Sequence, residues 1–520
     1  MEQSNRQTSK RNRRLKTGLQ ISFLVLFIGA IGVCYFYIPS SKALGKGAFS
    51  EHMWRQADVH AMTYNFFTDS AGFFSPRVFD LGSAKEARAA QEFPLLYYLS
   101  AKWDQIRTQY SSSTVNWFHF LFLLFAFVLF YIKSSLRFIK DNVGHLILFS
   151  IVYLSIWTGG LWQYYGMNNF PDIAALAATL IGISFFINFR NRPSKSALLW
   201  GTLFFLLAGL FKISFLIYPV ALWLPYITIP RKDTSKRKSI AALLTICLPA
   251  LFWVVYIKLY NAHYDSTVFL SSIMPLWEKD SGQISFIWDR LSKEFLPLLT
   301  HWSWLITFAF MFFLNLFYLP LRQKWTQLIA LLGIILFYLL FYAQLAVHAY
   351  YLILLYPLMV LIGYNFTHTT LIKWGNQTVF QISLTILFSF FFILQLRSTK
   401  QYLQSNYDEQ NIHHTYLEIP PEFLDEELMS NKLEKLSISA DSRIISTSDW
   451  SFNISLNTCK RYGWTLSWKE FSEPKVIDLH KKGANYLIYW GKHEPLEKQQ
   501  WKLEVMDRFD SGTSIYRLEY

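Results

Sequence analysis

The sequence predicts a polytopic α-helical membrane protein of about eleven spans that ends in a small α/β domain. Three observations predict it. The chain is 52% hydrophobic, 18% aromatic and only 16% charged, with mean hydropathy +0.21. A soluble fold has too little interior to hide that much apolar surface, so lipid must serve as its solvent. Apolar runs close to spanning length recur from residue 19 to residue 395. Lys and Arg gather in the short segments between runs, the pattern of cytoplasmic loops. That placement of the net charge of +14 argues against nucleic-acid binding.

Taken in order, Arg6, Lys10, Arg11, Arg13, Arg14 and Lys16 precede an apolar run at 19–38. It is longer than the roughly 7–15 residues of a cleaved signal, so it reads as a retained anchor with a cytoplasmic N-terminus. Further runs follow at 114–132, 143–161, 171–188, 197–211, 213–229, 240–257, 302–319, 326–342, 350–366 and 376–395. Alternating sides puts Lys133, Arg137, Lys140, Arg190, Arg192 and Lys195 inside, with Arg231, Lys232, Lys236, Arg237, Lys238, Arg322, Lys324 and Lys373. The predicted outer loops 162–170 and 343–349 hold no Lys or Arg. Lys212 alone splits 197–211 from 213–229. One continuous helix would place that cation in mid-bilayer at about 2.5–3.5 kcal/mol. A hairpin with Lys212 at its outer tip avoids the cost.

Three longer segments then face outward. Residues 39–113 read as interfacial helices plus a loop, and 258–301, with Trp277 and Trp288, as a surface-lying segment. Residues 1–395 form the membrane domain and 396–520 a separate polar domain. In the latter, Arg443-Ile-Ile-Ser and Tyr486–Trp490 read as strands, Pro421–Lys435 and Glu473–Lys482 as helices. Arg461-Tyr-Gly-Trp464 reads as a turn. Cys34, Cys247 and Cys459 offer neither a disulfide framework nor metal-ligand spacing.

Chemistry concentrates in Glu51-His-Met-Trp-Arg-Gln-Ala-Asp58. Helical spacing puts Glu51, Arg55 and Asp58 on one face, with Trp54 and Met62 as interfacial anchors. A carboxylate beside an arginine could take a proton from a hydroxyl, and an internal salt bridge explains the same pattern equally well. Glu92, just before Pro94, and Asp172, after Pro171, fit acidic residues at helix N-termini.

Trp54-Arg-Gln-Ala-Asp58, Asn65-Phe-Phe, Ser75-Pro-Arg77 and Glu92-Phe-Pro-Leu together resemble bacterial members of glycosyltransferase family 39, polytopic GT-C enzymes. Asn168-Asn-Phe-Pro-Asp172, Gly209-Leu-Phe-Lys212, His348-Ala-Tyr-Tyr351 and Arg461-Tyr-Gly-Trp464 extend the resemblance over nearly the whole chain. It implies a GT-C-like fold and an inverting transferase of the bacterial inner membrane. Such an enzyme moves a hexosyl or pentosyl group from a polyprenyl-phosphate donor to a glycan, lipid or protein hydroxyl outside. The implied base is Asp58. The family's better-known enzymes begin the motif with an Asp-Glu pair that this chain lacks, which leaves Glu51 and Glu92 as alternatives.

The remaining candidates follow from the chemistry. A departing lipid phosphate calls for cations, and Arg55, Arg77 and Lys212 are available, with Gln56, His348, Tyr350 and Tyr351 as further substrate contacts. No cofactor is required, although a divalent metal could be held by Asp58, Asp172 or His348. No Asp-x-Asp pair marks a nucleotide-sugar donor. The competing readings are a lipid-linked-glycan transporter or flippase, and an O-antigen ligase or polymerase using diphosphate-linked donors. Few charges lie inside the spans, which favours an enzyme over a transporter.

Overall fold

The computed structural model describes residues 2–82, 86–141, 143–229, 236–266, 268–269, 272–371, 378–407, 420–447, 449, 451–491 and 501–520. The chain opens with α1 (Glu2–Tyr37), α2 (Ser41–Leu44), α3 (Met53–Phe67) and α4 (Leu95–Ile106). Next come α5 (Ser112–Asp141), α6 (Val143–Trp157), α7 (Gly160–Tyr165), α8 (Pro171–Asn191), α9 (Lys195–Phe211), α10 (Ile217–Thr228) and α11 (Lys236–His263). They are followed by α12 (Ser281–Arg290), α13 (Leu296–Leu299), α14 (Trp302–Tyr318), α15 (Leu321–Leu340), α16 (Tyr356–Asn365) and α17 (Thr378–Tyr407).

The molecule is a multi-pass membrane protein. Among the described residues, six helical stretches are long and apolar enough to cross a membrane: 112–135, 171–191, 236–263, 321–340, 349–370 and 378–407. A helix pair bent by 86°, Ser281–Leu299 with Trp302–Tyr318, passes only as a unit. Ile21–Tyr37, Val143–Trp157, Lys195–Phe211 and Ile213–Thr228 are shorter apolar helices. Every predicted apolar run falls on one of these stretches. Of the predicted inner-loop cations, Arg231, Lys232 and Lys373 lie outside the described residues.

Burial sorts the spans. In the most apolar 18 residues of 171–191 and of 349–370, 89% of the residues are buried, against 22% for α11 and α15 and 11% for α17. The first two therefore form the centre, and their neighbours present apolar side chains outward, where lipid would meet them. The predicted break at Lys212 is present. α9 stops at Phe211, Lys212 is extended, and a 3-10 turn (Ile213–Leu216) leads into α10. Leu216 folds back so closely over α9 that its Cδ2 lies 2.4 Å from where a Cβ on Gly209 would stand.

The first long loop departs from expectation. α4 exposes Leu99, Trp103 and Ile106 along one face, as an interfacial helix should. α3 is enclosed instead, with twelve of its fifteen side chains buried. The cover comes from the far end of the chain. Helices α18 (Glu426–Lys435), α19 (Ile454–Cys459) and α20 (Glu473–Lys481) accompany a five-stranded sheet of order β2-β1-β3-β5-β4. Its strands are β1 (Ile444–Thr447), β2 (Gly463–Leu466), β3 (Tyr486–Tyr489), β4 (Leu503–Arg508) and β5 (Ser514–Leu518). β1 pairs in parallel with β2 and β3, while β5 pairs antiparallel with β3 and β4. Met53, Ala57, Ala61 and Met62 of α3 share one apolar core with Ile444, Ile454, Leu456 and Ile488. Met62 is thus a core residue and anchors nothing in lipid.

Arg461–Trp464 is only partly the predicted turn, because β2 begins at Gly463. Here the backbones of β1 and β2 approach so closely that a Cβ on Gly463 would stand 1.8 Å from the Ile444 carbonyl oxygen. Gly463→Ala should therefore cost about 1–3 kcal/mol, the usual penalty for overpacking. Thermal unfolding of the purified protein reads this directly, and an unchanged midpoint would refute the tight β1–β2 contact.

Candidate active site

α3 supplies the centre of the site. An αL residue, His52 (φ 60°), turns the chain into the helix. Its Nε2 donates to the Val347 carbonyl at 2.6 Å, so the neutral ring accepts at Nδ1 from the Tyr165 hydroxyl, 2.9 Å away. One turn on, Arg55 is 6% exposed and forms a buried ion pair with Glu92 while also donating to Gln91. Its Nη1 lies 3.6 Å from Asp58 Oδ2. Tyr97 of α4 donates to Glu92 Oε1 at 2.5 Å.

The two carboxylates of this group differ. Burial works to raise Glu92, but the Arg55 guanidinium and the Tyr97 hydroxyl hold it below the usual carboxylate range. Asp58, 5% exposed, is pushed up to about 7 by burial, against the lowering pull of Arg55 and of a hydrogen bond from Asn453. Arg55 is engaged chiefly by Glu92, so Asp58 has no full counter-charge. Glu92 is a fixed anion; Asp58 can exchange a proton near neutral pH.

The second half of the site lies at the ends of the two central spans. Asp172 occupies the first turn of α8, and Lys212 Nζ is 3.4 Å from its Oδ2. Lys212 also stands 5.6 Å from the ring centre of Tyr350 and 5.3 Å from that of Tyr351. Tyr350 joins the halves, since its ring also lies 5.2 Å from that of His52 at the start of α3. His348 lies 5.1 Å from the Tyr350 ring and 6.1 Å from that of His52. Burial pushes its imidazole down to about 3, so it is neutral.

No family model matches the chain, and no curated protein matches it by sequence. Solved structures do. ArnT from Cupriavidus metallidurans in the apo state superposes with a TM-score of 0.57 at 11% identity, covering 96% of this chain and 98% of its own. The same protein bound to undecaprenyl phosphate gives 0.56 at 10% identity, covering 95% and 98%. The archaeal oligosaccharyltransferase AglB from Archaeoglobus fulgidus, in complex with an inhibitory peptide and a dolichol-phosphate, gives 0.52 at 8%, covering 89% and 69%. Both are GT-C proteins. This chain has the GT-C fold.

Within that GT-C frame, Arg55, Asp58 and Glu92 form one group, and Lys212, Asp172, Tyr350, Tyr351 and His348 a second beside it. Three candidates lie elsewhere. Glu51 precedes α3 instead of sharing its face; positive φ at Ser50 and His52 turns it away, and its carboxylate accepts from the Tyr402 hydroxyl of α17 at 3.1 Å. The Gln56 side chain is consumed by Phe49, donating to its carbonyl at 3.0 Å and accepting from its amide at 3.2 Å. Arg77 turns to Glu86, 3.2 Å away. The three proposed metal ligands do not converge: among the described residues no group of three or more suitable side chains could hold a metal.

Sequence reasoning missed His52, Gln91, Tyr97 and Asn453. Tyr97 and Gln91 adjoin the Glu92 motif and were within reach of a helical-spacing argument. Asn453 had no local signal, because its partner Asp58 is 395 positions away.

Proposed function

We propose that the chain is an inverting membrane glycosyltransferase. It moves a sugar from a polyprenyl-phosphate donor to a hydroxyl acceptor at the outer face of a bacterial inner membrane. The observation that carries this reading is the enclosed Asp58 carboxylate beside Arg55, which burial pushes up to about 7, in the same site as Lys212 through the Tyr350 ring. A general base is most effective with a pKa near the working pH. The undecaprenyl phosphate and dolichol-phosphate bound by the GT-C neighbours support the donor class.

In this mechanism the acceptor hydroxyl gives its proton to Asp58 as its oxygen attacks the anomeric carbon. The bond from that carbon to the phosphate oxygen breaks on the opposite face, and the electron pair leaves with the lipid phosphate. Lys212, exchanging Asp172 for the phosphate, balances the returning charge. Arg55 is engaged by Glu92 and serves to fix the geometry.

Purified protein should transfer sugar from a synthetic polyprenyl-phosphate sugar to an envelope-derived acceptor. Lys212→Met should lower kcat/KM by about 10–100-fold, the loss of one hydrogen bond to a charged group. Lys212→Arg should restore part of it, since charge returns in a different shape. Donor binding without product would favour a transporter, and transfer only from a diphosphate-linked donor would favour the ligase class. Unchanged kinetics for Lys212→Met would reduce this lysine to an anchor.

A further inference from the structure

We propose that Asn453, from the C-terminal region, is a positioning residue that holds the Asp58 carboxylate in its working orientation. This rests on the reading of Asp58 as base. Asn453 is fully buried, and its Nδ2 donates to Asp58 Oδ1 at 2.8 Å. Its Oδ1 accepts from the backbone amides of Phe79 and Asp80, both at 3.0 Å. Backbone amides can only donate, so these two bonds identify the oxygen end and leave the NH2 end facing Asp58.

The local context sharpens the argument. Asn453 is the N-cap residue of α19, and asparagine is among the residues that best cap their own helix. Here the side chain forms no such cap. The cap is met by others: Ser451 Oγ accepts from the Ile454 amide at 3.0 Å, and Asp449 Oδ2 from the Ser455 amide at 2.8 Å. Asn453 thus forgoes its ordinary local bond and spends its side chain on Asp58 and the 79–80 segment. Asp58 is gripped at both oxygens, Oδ1 by Asn453 and Oδ2 facing Arg55. The remaining lone pairs have a defined direction in which to meet a proton.

The charged groups around Asp58 set the sign of the effect. Arg55 on its own helix stabilises the carboxylate and Glu92 ahead of α4 opposes it, while the neighbouring Asp80 is itself pushed up to about 7 by burial, with Asp449 and Asp58 adding to the rise. The Asn453 bond favours the ionised form. Removing it disfavours that form, so the base needs a higher pH to be ready.

Asn453→Asp tests the donor to Asp58, and the pH profile, which a purely structural loss would not move, reads the positioning role. It keeps an oxygen for the Phe79 and Asp80 amides and removes the donor to Asp58. The acid limb of its kcat/KM profile should move up by about one pH unit, the rough worth of a hydrogen bond to a charged group. Activity at pH 7 should fall about fivefold, the drop in ionised Asp58 for a one-unit rise from about 7, and recover at higher pH; the thermal midpoint should fall as well, because the new enclosed carboxylate has no cation. Asn453→Ala adds no charge and should shift the limb the same way while also unfolding earlier. A shift in Asn453→Asp alone would trace to the new carboxylate and overturn the proposal, as would an unshifted limb in both variants. Asp58→Asn, assayed alongside, tells the two ideas apart. If Asp58→Asn stays active, the base assignment fails; if it is dead and the limbs do not move, only the role of Asn453 fails.

Discussion

Asp58→Asn should lower turnover by about 10²–10⁴-fold with expression and thermal midpoint preserved, the range for loss of a positioned general base. The asparagine keeps the shape and an oxygen able to accept from Asn453, so the local fold has little reason to change. It cannot take the acceptor proton. In the wild type only the ionised carboxylate is competent, and burial pushes its pKa up to about 7. Activity should therefore rise with pH through that value and level off above it. The residual activity of Asp58→Asn should lack this limb. An active Asp58→Asn beside a dead Glu92→Gln would move the base to Glu92, against the lowered pKa that Arg55 gives that residue.

The largest stability effect is expected at Arg55. The guanidinium is buried against Glu92, Asp58 and Gln91, and a leucine there leaves two enclosed carboxylates with no cation on α3. Losing one member of a buried pair costs about 3–5 kcal/mol, because the survivor keeps its desolvation penalty. Arg55→Leu should lower the unfolding midpoint strongly in detergent. The double variant Arg55→Leu/Glu92→Leu should recover much of the loss while staying inactive. A double-mutant cycle measures the coupling. Additive losses at the two positions would show that the pair does not hold the site together.

Much of the fold was legible because a membrane protein writes its architecture in hydropathy and charge. Runs of the right length recur, and Lys212 marked its break through the cost of a cation in lipid. In the C-terminal sheet, Ile444–Thr447 and Tyr486–Tyr489 were visible as compact β-rich runs. β4 and β5 were not, since Leu503–Arg508 alternates weakly and carries charges. The candidate-site group was half legible. Arg55 and Asp58 share a helical turn, and Glu92 stands in a distinctive motif. Glu51 was misplaced because a positive-φ residue is invisible to helical spacing, and Gln56 because its partner is a backbone group. The enclosure of α3 was beyond sequence logic. The apolar side chains that suggested an interfacial helix meet protein instead of lipid, and nothing in α3 itself distinguishes the two.

The bond between Asp58 and Asn453 also has a consequence in time. Translation proceeds at about 5–20 residues per second, so the 395 positions between them take about 20–80 s to make. For that interval Arg55, Asp58 and Glu92 exist without the sheet that covers α3. With Asp58 as the proposed base, its partner arrives only once the β1–α19 segment has been synthesised and docked, so a shorter nascent chain holds an unfinished site.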